Sequence, residues 1–293
     1  MDIWFELKIF LSKDFPPILK EVISSKLFEL GAQGVVEDLG FVSGYFPEKD
    51  KARVTEQLPN SLEQLQSLMP SKALPRWEWC QVPEVNWVEK YKEHFKAQKL
   101  TNLFYLQPAW DKETAVPPEM IPIRMELGQA FGTGLHASTR LALKLTESIV
   151  GKFANPGELS LLDVGTGSGI LAIGAEKLGV GKIHAFDIDE VSVEVAAVNV
   201  KENDCHRITL DTKPIEQIKE RYNVVVANIL LETHRLLDSH YYRVCKDNGY
   251  LILAGFLSYQ LKDYRKSLPK EHWKVLQECH LQDWGALLLG RKF

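Results

Sequence analysis

A doubly wound α/β domain preceded by a smaller α+β module is the fold class this sequence predicts, and three observations carry it. From residue 159 onward, apolar runs of strand length alternate with segments of helical period; a glycine-rich turn joins the first of those strands to its helix; and the first 85 residues read strand, helix, strand, strand, helix, strand. Strands separated by helices at this spacing form a mostly parallel sheet covered on both faces. The β-α-β-β-α-β order is that of the split βαβ, ferredoxin-like module.

Each element has its own signal. Residues 3–10 predict a strand, and Asp14 to Leu30 predicts a helix, with Pro16 and Pro17 in its first turn and Gly31 at its end. Short β-rich runs at Gly34–Glu37 and Phe41–Phe46 flank a turn at Leu39-Gly40; a polar helix follows over Lys49–Met69 and a strand over Trp77–Val82. No cluster of Ser, His or acidic residues in residues 1–85 resembles a reaction centre, so this stretch reads as a recognition domain. Trp87, Val88, Tyr91 and Phe95 lie on one face of a helix, which makes 86–100 a linker helix and leaves 101–293 as the large domain. Pro117-Pro118 and Pro122 punctuate the approach to a strand at Ile121–Leu127 and the loop Gly128-Gln-Ala-Phe-Gly-Thr-Gly-Leu-His136, after which a helix runs to Val150.

Beyond Asn155-Pro-Gly157 the alternation is regular. It predicts strand Leu159–Val164, a helix from Ser168, strand Lys182–Asp187, helix Val191–Asn203, strands Arg207–Leu210 and Asn223–Ala227, a helix to Cys245 and strand Tyr250–Ala254. Trp273–Cys279 and Ala286–Gly290, separated by His280–Gly285, predict an antiparallel hairpin at a sheet edge.

Composition excludes several classes. With 293 residues, 45% hydrophobic and 25% charged, the chain is neither disordered nor collagenous. A net charge of −4 lacks the basic excess of a polyanion binder, so no direct nucleic-acid substrate is expected. Cys80, Cys205, Cys245 and Cys279 are scattered with no C-x-x-C pair, which predicts reduced, buried thiols and no metal. The opening Met1-Asp-Ile-Trp-Phe-Glu-Leu-Lys alternates charged and apolar residues, unlike a signal peptide, and no run approaches the roughly 18 apolar residues of a membrane span. A cytoplasmic protein without membrane contact is the expectation.

In an open α/β sheet, ligands bind outside the carboxyl ends of the strands, near the point where strand order reverses. Leu161-Leu162-Asp163-Val164 runs straight into Gly165-Thr-Gly167-Ser-Gly169 and a helix, so bare backbone can approach a nucleotide-like cofactor closely. The dinucleotide fingerprint G-x-G-x-x-G fails, because counting from Gly165 and Gly167 places Ile170 where the third glycine belongs. D-x-G-x-G-x-G instead suits S-adenosylmethionine, whose zwitterionic amino-acid tail replaces a pyrophosphate: Asp163 could meet its ammonium and the turn amides its carboxylate or ribose. Asp187, ending the second strand, is placed to accept both ribose hydroxyls.

Asn228, ending Val224-Val-Val-Ala, carries both a carbonyl and an NH2, so it could orient an incoming amine or contact the donor's methionyl part; an Asn there equally serves as a cap. In Phe131-Gly-Thr-Gly-Leu-His136-Ala-Ser-Thr139, Thr133, Ser138 or Thr139 could donate hydrogen bonds to a bound cofactor, or Ser138 or Thr139 could simply cap the helix; His136 relays a proton or bonds locally.

With these residues assembled, the chain resembles the ribosomal protein methyltransferase family that modifies large-subunit ribosomal protein eleven. The resemblance rests on Gly128-Gln-Ala-Phe-Gly-Thr-Gly-Leu-His-Ala-Ser-Thr139, Leu161-Leu-Asp-Val-Gly-Thr-Gly-Ser-Gly-Ile-Leu-Ala-Ile173, Asp187-Ile-Asp189 and Val226-Ala-Asn-Ile-Leu230, and it spans nearly the whole chain. It implies a seven-stranded, Rossmann-like class I methyltransferase domain, with the ferredoxin-like module holding the protein substrate and the linker letting it swing. It carries the S-adenosylmethionine contacts onto Thr139, Gly165, Asp187 and Asn228, beside the Thr133, Asp163 and Gly167 positions named above, and makes Asn228 the group that orients the acceptor. The implied products are trimethylated lysines and a trimethylated N-terminal amine on ribosomal protein eleven, free or on the ribosome, with the enzyme a monomer. The chain departs from the family pattern at Leu127, Tyr91, Ala97 and Leu231, and relatives of the same catalytic domain methylate lysines of other proteins; another protein's lysine or a small amine is the alternative acceptor. A nicotinamide-dependent oxidoreductase is disfavoured by Ile170 and by the expected absence of a catalytic Tyr-x-x-x-Lys arrangement, and a non-catalytic module would bind the donor without turnover.

Overall fold

The computed structural model describes residues 3–11, 17–38, 40–65, 74–82, 95–126 and 136–292. The chain divides into two compact units, Met1–Lys96 and Ala97–Phe293.

In the first unit, β1 (Trp4–Phe10), α1 (Pro17–Glu29), β2 (Gly34–Glu37), β3 (Phe41–Pro47), α2 (Glu48–Glu63) and β4 (Trp77–Val82) follow in the expected order. The sheet runs β2-β3-β1-β4 with every pairing antiparallel. Its core follows from two periodicities: Leu7 and Ile9 alternate along β1, while Leu19, Ile23 and Leu27 on α1 and Val54, Leu58 and Leu62 on α2 recur every four residues, and all are essentially fully buried. Each such aliphatic side chain contributes roughly 1.5–3 kcal/mol. Gly31, at φ 94°, ends α1 in the left-handed conformation that glycine adopts without strain. The helix expected over Lys49–Met69 stops at Glu63, and residues 66–73 lie outside the described residues.

The second unit opens with a three-stranded sheet of β5 (Gln98–Lys99), β6 (Phe104–Pro108) and β7 (Ile121–Met125), in that order. Of the linker expected over 86–100, residues up to 94 lie outside the described residues, and at Gln98–Lys99 the chain is strand, so the helix does not reach residue 100. Helix α3 (Ala137–Val150) leads into β8 (Ser160–Val164), α4 (Ile170–Lys177), β9 (Lys182–Phe186), α5 (Glu190–Glu202), β10 (Ile208–Asp211), β11 (Tyr222–Asn228), α6 (Leu231–Val244), β12 (Cys245–Leu257), α7 (Ser258–Ser267), β13 (Trp273–Leu281) and β14 (Trp284–Arg291). These strands form one seven-stranded sheet ordered β10-β9-β8-β11-β12-β14-β13. The first five run parallel, and β14 and β13 add the antiparallel hairpin edge.

The chain builds outward from β8 through β9 to β10, then returns to place β11 on the other side of β8, so the order reverses between β8 and β11. Three features exceed the sequence reading: β6 and the small sheet it centres, the length of β12, and α7. Strand β12 spans 13 residues where five were expected, and the unexpected α7 is polar, with only Leu261 and Tyr264 buried. Cys205 and Cys245 are buried free thiols as expected, whereas Cys80 and Cys279 are only partly buried. Among the described residues, no helix is long and apolar enough to cross a membrane, and no cluster of metal-ligating side chains exists.

Candidate functional site

The site lies where the strand order reverses. Strand β8 is buried along its whole length and delivers the chain into Gly165, Gly167 and Gly169, whose φ values of 69°, 53° and 82° are all left-handed. A Cβ on Gly165 would lie 2.6 Å from Cγ2 of Ile229, the residue after Asn228, so the turn and the end of β11 are in close contact and any larger residue would force one of them to shift. The amides of Gly165 and Thr166 both donate to the Phe186 carbonyl, at 3.0 and 2.9 Å, which folds the turn back over the end of β9.

This fold-back brings Asp187 to the turn. Its Oδ2 accepts from the Gly167 amide at 3.0 Å and its Oδ1 from the Asp189 amide at 3.1 Å. Partial burial raises the Asp187 pKa, opposed by the hydrogen bonds from Gly167 and Asp189. Asp189 caps α5, accepting from the Val191 amide at 3.1 Å and the Ser192 hydroxyl at 3.0 Å. Ile188, between the two carboxylates, is 79% exposed. Sequence reasoning passed over it, although an isoleucine between two acidic residues at a strand end is itself a signal, since an apolar side chain there gains nothing from facing water.

Asp163 sits beneath the turn rather than in the crevice. It is fully buried, its Oδ2 accepts from the Thr166 hydroxyl at 2.7 Å, and its Oδ1 has no hydrogen-bond partner. Burial pushes its pKa up to about 7 against the Thr166 hydrogen bond.

Across the switch point stands Asn228, one residue beyond the Ala227–Val164 register pair. Its Nδ2 donates to Thr139 Oγ1 at 3.1 Å, and its Oδ1 is buried without a partner. Thr139 is fully buried in the first turn of α3. Neither Ser138 nor Thr139 caps that helix: the cap is His136, whose Nδ1 accepts from the Ser138 amide at 3.3 Å, while its ring stands edge-on to Trp284 with centroids 4.4 Å apart. Thus Gly165, Gly167, Asp187 and Asn228 lie together at the carboxyl ends of β8, β9 and β11, with Thr139 bonded to Asn228 from α3 and Asp163 beneath the turn. Thr133 and the rest of residues 127–135 lie outside the described residues.

The Tyr-x-x-x-Lys spacing of a dinucleotide oxidoreductase, expected to be absent, is present at Tyr242 and Lys246, but not in a catalytic placement. Lys246 donates to Asn223 Oδ1 at 3.0 Å near the start of β11, at the opposite end of that strand from Asn228, and Tyr242 stacks on His272.

Comparison with known proteins agrees with this geometry. Residues 15–292 match the family described as ribosomal protein L11 methyltransferase (PrmA). The chain is 32% identical over 312 residues to the ribosomal protein L11 methyltransferase of Caldicellulosiruptor bescii, covering 99% of each, and 35% identical over 266 residues to that of Macrococcus caseolyticus, covering 89% of this chain and 83% of the relative. The crystal structure of ribosomal protein L11 methylase from Lactobacillus delbrueckii subsp. bulgaricus superposes with a TM-score of 0.62 at 29% identity, over 68% of this chain and 100% of that one. The match runs through both units and every element of the crevice, and the chain belongs to the ribosomal protein L11 methyltransferase family.

Proposed function

We propose that this chain transfers methyl groups from S-adenosylmethionine to lysine side-chain and N-terminal amines of ribosomal protein L11, free or on the ribosome, and does so as a cytoplasmic monomer. The observation that carries this reading is the convergence of the glycine turn, Asp187 and Asn228 on one switch point in a chain of this family.

The residues fit the donor. The left-handed turn carries no side chain at Gly165, Gly167 or Gly169, so its backbone is bare where the donor would lie against it. Asp187 has both oxygens oriented by backbone N–H groups and retains the lone pairs to accept two ribose hydroxyls. Ile188 beside it offers an apolar surface that an aromatic base can cover. Thr166 ties the turn to Asp163, whose role is to brace the cradle from below. Gly165, Gly167 and Thr133 complete the donor side, and Thr139, bonded to Asn228, stands where the two sides meet.

When bound, the donor supplies a methyl group on a positively charged sulfur, open to in-line attack by a neutral amine. A lysine of ordinary pKa, about 10.4, is neutral in roughly one molecule in a few thousand at pH 7, so the crevice must favour that form. Desolvation beside a sulfonium does so. Asn228 orients the acceptor: Thr139 holds its amide nitrogen, which leaves the unpaired Oδ1 to receive an N–H from the amine and align the nitrogen lone pair with the methyl group. Residues 1–85 hold the acceptor protein.

The test is to incubate the enzyme with S-adenosylmethionine and purified L11 and to map methylated amines by mass spectrometry. Methyl groups on L11 lysines and its N-terminus are expected; an unmodified L11 under conditions where the enzyme binds the donor would refute the acceptor assignment.

A further inference from the structure

Helix α6 follows the Asn228 turn, and its first turn buries a histidine in an apolar core. His234 has no solvent exposure; its ring stacks on Phe256 with centroids 4.6 Å apart and lies beside Tyr241 and Tyr264, all three fully buried. A leucine would fill such a place without the desolvation cost of two ring nitrogens. What the histidine adds is a pair of directed hydrogen bonds.

Nε2 lies 2.9 Å from the carbonyl oxygen of Ala254, and Nδ1 lies 2.9 Å from the Tyr241 hydroxyl. A carbonyl can only accept, so Nε2 carries the hydrogen. Burial drives the His234 pKa down to about 4, which keeps the ring neutral. Nδ1 is therefore bare and accepts from the Tyr241 hydroxyl, and this second bond fixes the tautomer that makes the first one possible. Ala254 is the register partner of Asn228, and its carbonyl also accepts from the Ile229 amide at 3.2 Å. Gly255 follows at φ 93°, so close that a Cβ there would lie 2.2 Å from the Ile229 carbonyl oxygen. Two donors, one within the Asn228–Leu230 turn and one from the helix that follows it, thus meet on a single carbonyl.

We propose that His234 is a positioning residue for methyl transfer: through Ala254 it clamps the Asn228–Leu230 turn to the end of β12 and so sets where the Asn228 carboxamide points. The proposal rests on the reading that Asn228 orients the acceptor amine. His234 touches neither donor nor acceptor, and its hydrogen bonds run to Ala254 and Tyr241, neither of which belongs to the glycine turn or to Asp187. Its loss therefore shows in turnover and in the order of the turn, and leaves donor affinity alone.

The experiment compares the full chain with His234→Leu, which keeps bulk and removes both hydrogen bonds, and His234→Gln, which keeps an N–H for Ala254. Three quantities are read: donor affinity by calorimetry, kcat and KM on L11, and amide hydrogen exchange of the peptide spanning 224–234. In His234→Leu, kcat falls about tenfold or more, exchange at Ile229 accelerates by about tenfold, and the donor Kd stays within about twofold; His234→Gln recovers most of the kcat and the protection. Wild-type kcat and protection in His234→Leu would overturn the proposal, as would equal losses in both variants, because ring packing alone would then be at work. Should His234→Leu not fold, Tyr241→Phe keeps the histidine and removes the bond that fixes its tautomer; reduced kcat and faster Ile229 exchange support the clamp, and unchanged values overturn it. If the wild-type chain modifies no L11 at all, the acceptor reading fails, while the exchange comparison still decides whether His234 holds the turn.

Discussion

The donor side and the acceptor side of the crevice are built from different materials. Around Gly165–Gly169 the chain is shaped by backbone: left-handed glycines, amides folded onto the Phe186 carbonyl, and one amide on the Asp187 carboxylate. Around Asn228 it is shaped by side chains from distant parts of the sequence, with Thr139 reaching it from 89 residues away and His234 reaching Ala254 across 20. A backbone cradle tolerates changes in the side chains around it, whereas a side-chain clamp fails when one member is lost. Donor recognition and acceptor alignment are therefore separable by mutation.

The largest expected loss of stability sets the two sides directly against each other. Gly255→Ala places a Cβ 2.2 Å from a backbone oxygen that cannot yield, whereas Gly165→Ala meets only the Ile229 Cγ2 at 2.6 Å, the end of a side chain. Chemical denaturation should show a loss of about 3 kcal/mol or more for the first and about 1–2 kcal/mol for the second. Equal losses would mean that the acceptor-side turn is no more tightly clamped than the glycine turn.

Next come two buried groups that respond oppositely to pH. The folded chain holds a proton on Asp163 up to about pH 7, which the unfolded chain, at 3.8, has already released, so stability falls as pH rises through that window. His234 runs the other way: the unfolded chain takes up a proton below 6.5 that the folded chain refuses down to about 4, so stability falls as pH drops. Asp163→Asn should gain roughly 4 kcal/mol over the parent at pH 8 and little at pH 4, while His234→Leu should flatten the acid limb between pH 6.5 and 4. Melting curves at those pH values check both, and a gain for Asp163→Asn that is independent of pH would show that the carboxyl is not held protonated.

Asn228→Ala should lower kcat on L11 by about thirtyfold, near 2 kcal/mol, with a much smaller change in donor affinity. A loss confined to donor Kd would move Asn228 to the donor side and remove the distinction between the two halves.

The two sides were also unequally legible in the sequence. Gly165, Gly167 and Asp187 announce themselves because a left-handed turn demands glycine and a strand end followed by Asp-Ile-Asp is a local pattern. Asn228 was readable as a residue type at a strand end, but the Thr139 contact that sets its amide was not, since pairing α3 with β11 is a property of the assembled sheet. His234 gave no signal, because one histidine in a helix of mixed polarity is indistinguishable from a surface residue until Tyr241 and Ala254 are placed around it. Asp163 could be placed at the strand end but not on the correct face, and its full burial appears only when Thr166 folds over it. The ferredoxin-like order of the first unit followed from apolar periodicity alone, whereas α7, with two buried residues in ten, offered too little period to be seen.

Calorimetric titration of S-adenosylmethionine into the wild-type chain and Asp187→Ala tests the donor cradle most directly. A carboxylate that accepts two ribose hydroxyls should be worth more than about tenfold in Kd, or about 1.4 kcal/mol, with the folded state intact. An Asp187→Ala protein that folds and binds the donor as tightly as its parent would contradict the placement of the donor in this crevice.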